Sequence, residues 1–192
     1  MGRTRKLFWQ ISVTLDGFME GTERELTDTA EIADPHFDRY ASEMLRSIDD
    51  IVLGWRTYEL FAGYWPKAAG PDAERLNALP KLVFSRSPRE LEWNNSRLAG
   101  ADAATEIGRL KAQPGRDVAL FGSATLARAL AEEGLIDEYR VLVSPVLLGR
   151  GGPAFAGLER RVGLEFVKHE AWSSGVVALF YSAVQSSQGG SS

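Results

Sequence analysis

The chain has 192 residues, 44% hydrophobic and 25% charged, which suits one domain with an ample core, since domains commonly run roughly 100–200 residues. Lys and Arg number 22 against 26 Asp and Glu, for a net charge of −4. No basic surplus is left to displace phosphate counterions, and nucleic acid is excluded as the expected partner. With zero cysteines and only His36 and His169, disulfides, thiolate nucleophiles and a convincing metal site are excluded as well.

The apolar run behind Met1–Lys6 is interrupted by Gln10, Ser12, Thr14 and Asp16. It reads as neither a signal peptide nor a spanning helix, so a cytoplasmic single domain over residues 1–185 is expected. Leu7–Val13 predicts a strand that ends at the turn pair Asp16-Gly17. Phe37, Tyr40, Ala41, Met44, Leu45 and Ile48 form a helical stripe, introduced by Asp34-Pro35 as cap and first-turn proline. Ile51-Val52-Leu53 is a short strand apolar on both faces, followed by a helix over Thr57–Ala62 that Gly63 should stop. Leu82–Phe84 and Val118–Phe121 are further strands, with helices at Ala103–Lys111 and Ala124–Glu133, the latter closed by Gly134. Glu138–Leu148, Leu164–Trp172 and Val176–Val184 are long β-rich stretches, the last two joined by the hairpin connection Ser173-Ser174-Gly175. The fold class is therefore α/β: a mostly parallel mixed sheet with an antiparallel C-terminal hairpin edge and helices on both faces. The tail over residues 186–192 lacks apolar residues and is expected to be disordered.

Common nucleophile and phosphate signatures are missing, and the nominal G-x-G-x-x-A of Gly149–Ala154 reads as a glycine loop between two antiparallel strands. Three strand ends carry more. Gly54-Trp55-Arg56-Thr57 and Gly122-Ser123-Ala124-Thr125 each lead from a buried strand through glycine into a helix N-terminus, where free N–H groups and the helix dipole suit a pyrophosphate. Ordinary glycine turns of an α/β sheet would look the same. Ser85-Arg86, after the strand Leu82–Phe84, suits a phosphate monoester or a solvated turn.

Ser12–Gly17, Val52–Glu59, Val83–Arg86, Gly122–Leu126, and Gly134–Glu138 with Pro145–Gly149 occur in an order that resembles the dihydrofolate reductase-like superfamily. Within it the chain is similar to the reductase domain of bacterial riboflavin biosynthesis (the RibD C-terminal type), over roughly residues 7–184. The resemblance implies NADPH as cofactor and hydride transfer to a small heterocyclic substrate, as in 5-amino-6-(5-phosphoribosylamino)uracil reductase. Carried over by position, it sets Gly54, Arg56 and Thr57 at the cofactor phosphates and Ser85 and Arg86 at the 2′-phosphate. It also sets Gly122, Ser123, Ala124 and Thr125 at the pyrophosphate and ribose, with Asp16-Gly17 opening the loop over the nicotinamide. Trp55 stands where many relatives carry Arg, which shifts the weight of NADPH preference to Arg86. Counting along the first helix, Asp38 falls at the substrate carboxylate position, where burial would raise its pKa for proton delivery; it serves equally as a solvated first-turn Asp. Ten acids between Glu20 and Asp50 would make an acidic substrate mouth that repels a ribose phosphate. A non-catalytic nucleotide-binding module and a dihydrofolate reductase proper are the alternatives. Relatives that pair, together with the long late strands, point to a homodimer.

Overall fold

The computed structural model describes residues 4–22 and 34–184. The tail over 186–192 and four of the ten acids, Glu23, Glu25, Asp28 and Glu31, lie outside the described residues. In chain order the elements are β1 (Leu7–Thr14), β2 (Phe18–Glu20), α1 (Pro35–Arg46), β3 (Ile48–Gly54), α2 (Trp55–Tyr64), α3 (Pro71–Ala78), β4 (Lys81–Phe84), β5 (Ser96–Leu98), α4 (Ala103–Ala112), β6 (Asp117–Phe121), α5 (Ala124–Glu132), β7 (Glu138–Ser144), β8 (Gly152–Pro153), β9 (Leu164–Ala171) and β10 (Val177–Ala183).

Eight strands form one sheet in the order β5-β4-β3-β6-β1-β7-β10-β9, and β2 with β8 forms a separate two-stranded ribbon. Neighbours from β5 to β7 pair in parallel, and β10 pairs antiparallel with both β7 and β9. This is the expected mixed sheet with its antiparallel end. The middles of β3 (Ile51–Leu53) and β6 (Val118–Phe121) are apolar on both faces because helices cover both sides of the sheet there. One core layer joins Phe8, Tyr40, Met44, Leu45, Ile51, Tyr58 and Phe180 beneath α1 and α2. The other joins Trp9, Val13, Ile107, Leu120, Ala127, Leu130 and Tyr139 beneath α4 and α5.

Several boundaries differ from the sequence reading. Ile48 is not the end of the helical stripe but the first residue of β3, paired with Asp117, because Ser47 caps α1 one residue earlier. Gly63 lies inside α2 rather than stopping it, and Pro66 follows in a 3₁₀ turn over Trp65–Lys67. β7 ends at Ser144, short of the predicted Leu148, since Pro145 has no N–H to give the ladder. The strands on either side of the Gly149–Ala154 loop are not antiparallel neighbours: β10 lies between β7 and β9, so those two run in the same direction. The hairpin at Ser173–Gly175 is present, closed by the Trp172 N–H donating to Val176 O at 2.9 Å. Helix α3 and strands β2, β5 and β8 have no counterpart in the sequence reading; the strands are two or three residues long, below any useful period.

The described members of the acidic run do not gather at one mouth. Asp49 and Asp50 sit at the amino end of β3, where Asp49 meets Arg116 and Arg75 and Asp50 meets Arg5. Asp34 is buried as the cap of α1: it accepts the His36 N–H at 2.8 Å and the Ser174 N–H at 2.7 Å. Burial disfavours its charge, yet the donors from His36 and Ser174 outweigh it and hold the carboxyl far below the usual range. Among the described residues, no helix is long and apolar enough to cross a membrane.

Candidate functional site

Parallel strands β3 and β6 end side by side, Leu53 opposite Phe121, and each passes through one glycine into a helix. The two turns lock together. Ser123 Oγ accepts the Gly54 N–H at 2.7 Å and lies 3.1 Å from Thr57 Oγ1. The turn is anchored from below by Trp9 Nε1, which donates to Gly122 O at 2.8 Å. A Cβ on Gly54 would stand 2.4 Å from Ser123 Oγ, and one on Gly122 would stand 2.8 Å from Thr57 Oγ1. Glycine is required at both positions by close approach. Gly122 and Ser123 also adopt successive left-handed conformations, φ 55° and 53°. For serine that conformation costs roughly 1–2 kcal/mol, and its hydroxyl bridge offsets part of the cost. Strain of this kind clusters at ligand sites.

The helix ends on this cradle are chemically distinct. α1 and α4 begin with Asp34 and Asp102 accepting first-turn N–H groups, whereas α2 and α5 begin at Gly54 and Ser123 with no side-chain cap and no acid in the first turn. α3 is also uncapped but carries Asp72 and Glu74 in its first turn. Among the described α-helices, then, only α2 and α5 lack both a side-chain cap and an acid of their own first turn, and they start next to each other. That is the requirement for holding an anion.

The predicted site residues divide accordingly. Gly54, Thr57, Gly122 and Ser123 come together in the cradle, and Ala124 and Thr125 open α5 beside it, with Thr125 Oγ1 3.3 Å from an Arg128 nitrogen. Ser85 follows Phe84, which pairs with Gly54, so it stands at the same end of the sheet. Its hydroxyl closes a local turn with Ser87 (2.8 Å to the carbonyl), leaving Arg86 exposed. Arg56 is not directed to an empty cleft: its Nη1 lies 2.6 Å from Glu20 Oε2 on β2.

Two expected residues do something else. Asp16 clips two loops, accepting from Thr14 Oγ1 (2.6 Å) and from the Gly149 N–H (2.7 Å) and Leu148 N–H (3.1 Å). The Thr14 and Gly149 donors hold its carboxyl below the usual range. Gly17 turns the chain at φ 85°. Asp38 is exposed on the first turn of α1, not buried against a substrate pocket. The sequence reading also passed over Arg89, whose guanidinium stacks 4.9 Å from the Trp55 ring at the start of α2, and the pairing of Glu20 with Arg56. The spacing of Arg86 and Arg89 on one loop was the available signal for the first; nothing local signals the second.

A hollow of about 810 Å³ lies on the sheet face away from α1 and α2. Trp9, Val13, Tyr139, Val141, Leu179 and Tyr181 floor it, and Phe155, Leu158 and Leu164 stand at its edge, as do Asp16 and Gly17. α5 borders the hollow on the β7 side through Ala127, Arg128 and Ala131.

An eight-stranded sheet, parallel from β5 to β7 and closed by the antiparallel β10 and β9, defines a mixed α/β domain of the dihydrofolate reductase-like fold. Enterococcus faecalis dihydrofolate reductase, solved in complex with NADP(H) and RAB-propyl, superposes with a TM-score of 0.64 at 14% identity, covering 95% of this chain and 99% of that one. A protein from Shewanella sp. PV-4 superposes with a TM-score of 0.75 at 20% identity, covering 94% and 99%. Residues 5–178 match the RibD C-terminal domain, and the chain belongs to that family. The uncharacterized protein YyaP of Bacillus subtilis (strain 168) is 35% identical over 184 residues, 93% of this chain and 95% of its own length.

Proposed function

We propose that the protein is an NADPH-dependent oxidoreductase that reduces a small heterocyclic or conjugated substrate, akin to the uracil reductase of riboflavin biosynthesis. The observation that carries this reading is the pair of adjacent, uncapped, acid-free helix N-termini of α2 and α5, locked by the Gly54–Ser123–Thr57 contacts. A pyrophosphate fits there because each glycine keeps the backbone clear where a Cβ would fill the space. Arg86, exposed beyond β4, and Arg89, stacked on Trp55, supply a fork and a second cation for a 2′-phosphate. The cofactor, when bound, supplies the hydride. The chain's own work is to hold the phosphates, orient the donor ring and exclude water. Since Asp38 is exposed and Asp34 is engaged as a cap, neither is assigned the proton; solvent delivers it in this account.

Titration with NADPH and NADH, followed by tryptophan fluorescence, tests the reading. The expected result is NADPH binding that weakens about tenfold or more in Arg86→Ala while NADH binding is unaffected. Absence of binding by either nucleotide would overturn it in favour of a module that keeps the fold without the cofactor.

Self-association is proposed on the sheet face that holds the hollow. Leu164 and Phe166 of β9 are 43% and 55% exposed and continue the apolar floor of the hollow, as do Phe155 and Leu158. One such apolar face meeting its own copy gives a closed dimer. Sedimentation should show a dimer that Phe166→Glu dissociates; a monomer at all concentrations would refute it.

A further inference from the structure

The ribbon of β2 and β8 crosses the start of α2, and its one charged side chain there is spent on the cradle's own cation. Glu20, the last residue of β2, lies 2.6 Å through Oε2 from Arg56 Nη1, with the two side chains only 20% and 38% exposed. Arg56 is the second residue of α2, two positions past Gly54. The carboxylate is held in place by packing. A Cβ on Gly151 would meet Glu20 O at 2.2 Å, and a Cβ on Gly152 would meet Glu20 Cγ at 2.5 Å, so these glycines let β8 press directly onto Glu20. Gly152 pairs with Glu20, and the Ala154 N–H donates to Gly17 O at 3.0 Å, which ties the loop to the β1–β2 turn. Glu20 is therefore presented to Arg56 by a braced ribbon, not by a freely rotating surface side chain.

We infer that Glu20 is an internal competitor for the nucleotide phosphates: its carboxylate occupies the Arg56 guanidinium, and a bound phosphate must exchange with it. The inference rests on the oxidoreductase reading for the identity of the ligand. Arg56 can pair with a carboxylate or with a phosphate through the same planar fork, and each partner satisfies the same donors. The exchange sets nucleotide affinity below what Arg56 would give without Glu20 beside it. Because Glu20 and Arg56 act as a pair, the effect of removing either depends on the presence of the other.

The test is a double-mutant cycle, read as NADPH dissociation constants by tryptophan fluorescence at fixed ionic strength. Thermal melts establish that each variant is folded. A partly exposed ion pair of this kind typically contributes up to about 1 kcal/mol, or about fivefold in an equilibrium constant. Glu20→Gln is expected to tighten NADPH binding about three- to fivefold, and Arg56→Gln to weaken it. In the Arg56→Gln background, Glu20→Gln is expected to have no effect. Equal tightening in both backgrounds would mean that Glu20 repels the ligand directly, and would overturn the competitor role. Unchanged affinity in Glu20→Gln would overturn it as well. Either result would leave the cofactor assignment standing. If no variant binds NADPH, both the assignment and this inference fall. Binding seen only in Glu20→Gln would support both.

Discussion

Substitution of Gly54 by Ala isolates the steric requirement of the cradle from backbone strain. Gly54 sits at φ −80° and ψ 161°, a conformation any residue adopts, so the only obstacle to a side chain is what it meets. It meets Ser123 Oγ at 2.4 Å and Ser123 Cβ at 3.0 Å. To admit the methyl group the serine hydroxyl must swing away and give up the Gly54 N–H (2.7 Å) and its contact with Thr57 Oγ1 (3.1 Å). At about 1 kcal/mol per hydrogen bond this costs about 2 kcal/mol, and losing glycine's freedom in the unfolded chain returns about 0.5 kcal/mol. A net loss of about 1.5 kcal/mol lowers the melting midpoint by about 3–6 °C for a chain of this length. Ser123→Gly removes the obstructing hydroxyl and the left-handed strain together with the same hydrogen bonds, and should be close to neutral. The double variant should then resemble Ser123→Gly alone, a coupling of at least about 1 kcal/mol between the sites. Thermal unfolding by circular dichroism gives the four midpoints. Strict additivity would refute the claim that these turns are locked through Ser123.

The remaining predictions concern other parts of the chain. Lys81 is 1% exposed at the start of β4, with Nζ donating to the carbonyls of Asn77 (3.1 Å), Leu79 (2.7 Å) and Asn94 (3.0 Å). Burial pulls its pKa down to about 8. The folded state therefore binds fewer protons than the unfolded chain between pH 8 and the ordinary lysine range, and stability from this group rises with pH across that window. Lys81→Met strands three carbonyls and should cost about 2–3 kcal/mol at pH 7, with the deficit relative to the parent widening between pH 8 and 10 in urea titrations. Asp34 and Asp16 are held below the usual carboxylate range. Their stabilisation is present at neutral pH and is lost as the pH falls through about 4 and below, so Asp34→Asn should flatten the acid limb of the stability profile. Asp16→Ala should expose the 145–151 connection to limited proteolysis, because the Leu148 and Gly149 N–H groups lose their clip. Equal cleavage rates for parent and variant would refute that role.

The fold was largely legible because its period signals are strong where burial is complete. Ile51–Leu53 and Val118–Phe121 are apolar on both faces and could be nothing but central strands under two helix layers. The cradle was legible for the same reason: a buried strand followed by glycine and a helix start is a local pattern. The exposure of Asp38 was not legible because a count along a helix gives a residue's turn but not its exposure, and a single residue of offset decides whether a side chain faces the core. The role of Asp16 was hidden because its partners, Leu148 and Gly149, lie far along the chain. The Glu20–Arg56 pair depends on the short β2–β8 ribbon, two strands too brief to carry a period. The order of the last three strands was not available either, since nothing in the stretch between Pro145 and Gly163 says that β10 inserts between β7 and β9.

The measurement that tests the central claim most directly is a crystal structure of the protein grown with NADPH. The account predicts the pyrophosphate against the N–H groups that open α2 and α5, between Gly54 and Gly122, with the 2′-phosphate beside Arg86. NADPH seated in the hollow beside α5 and the 154–162 segment, with the Gly54–Ser123 cradle untouched, would contradict it.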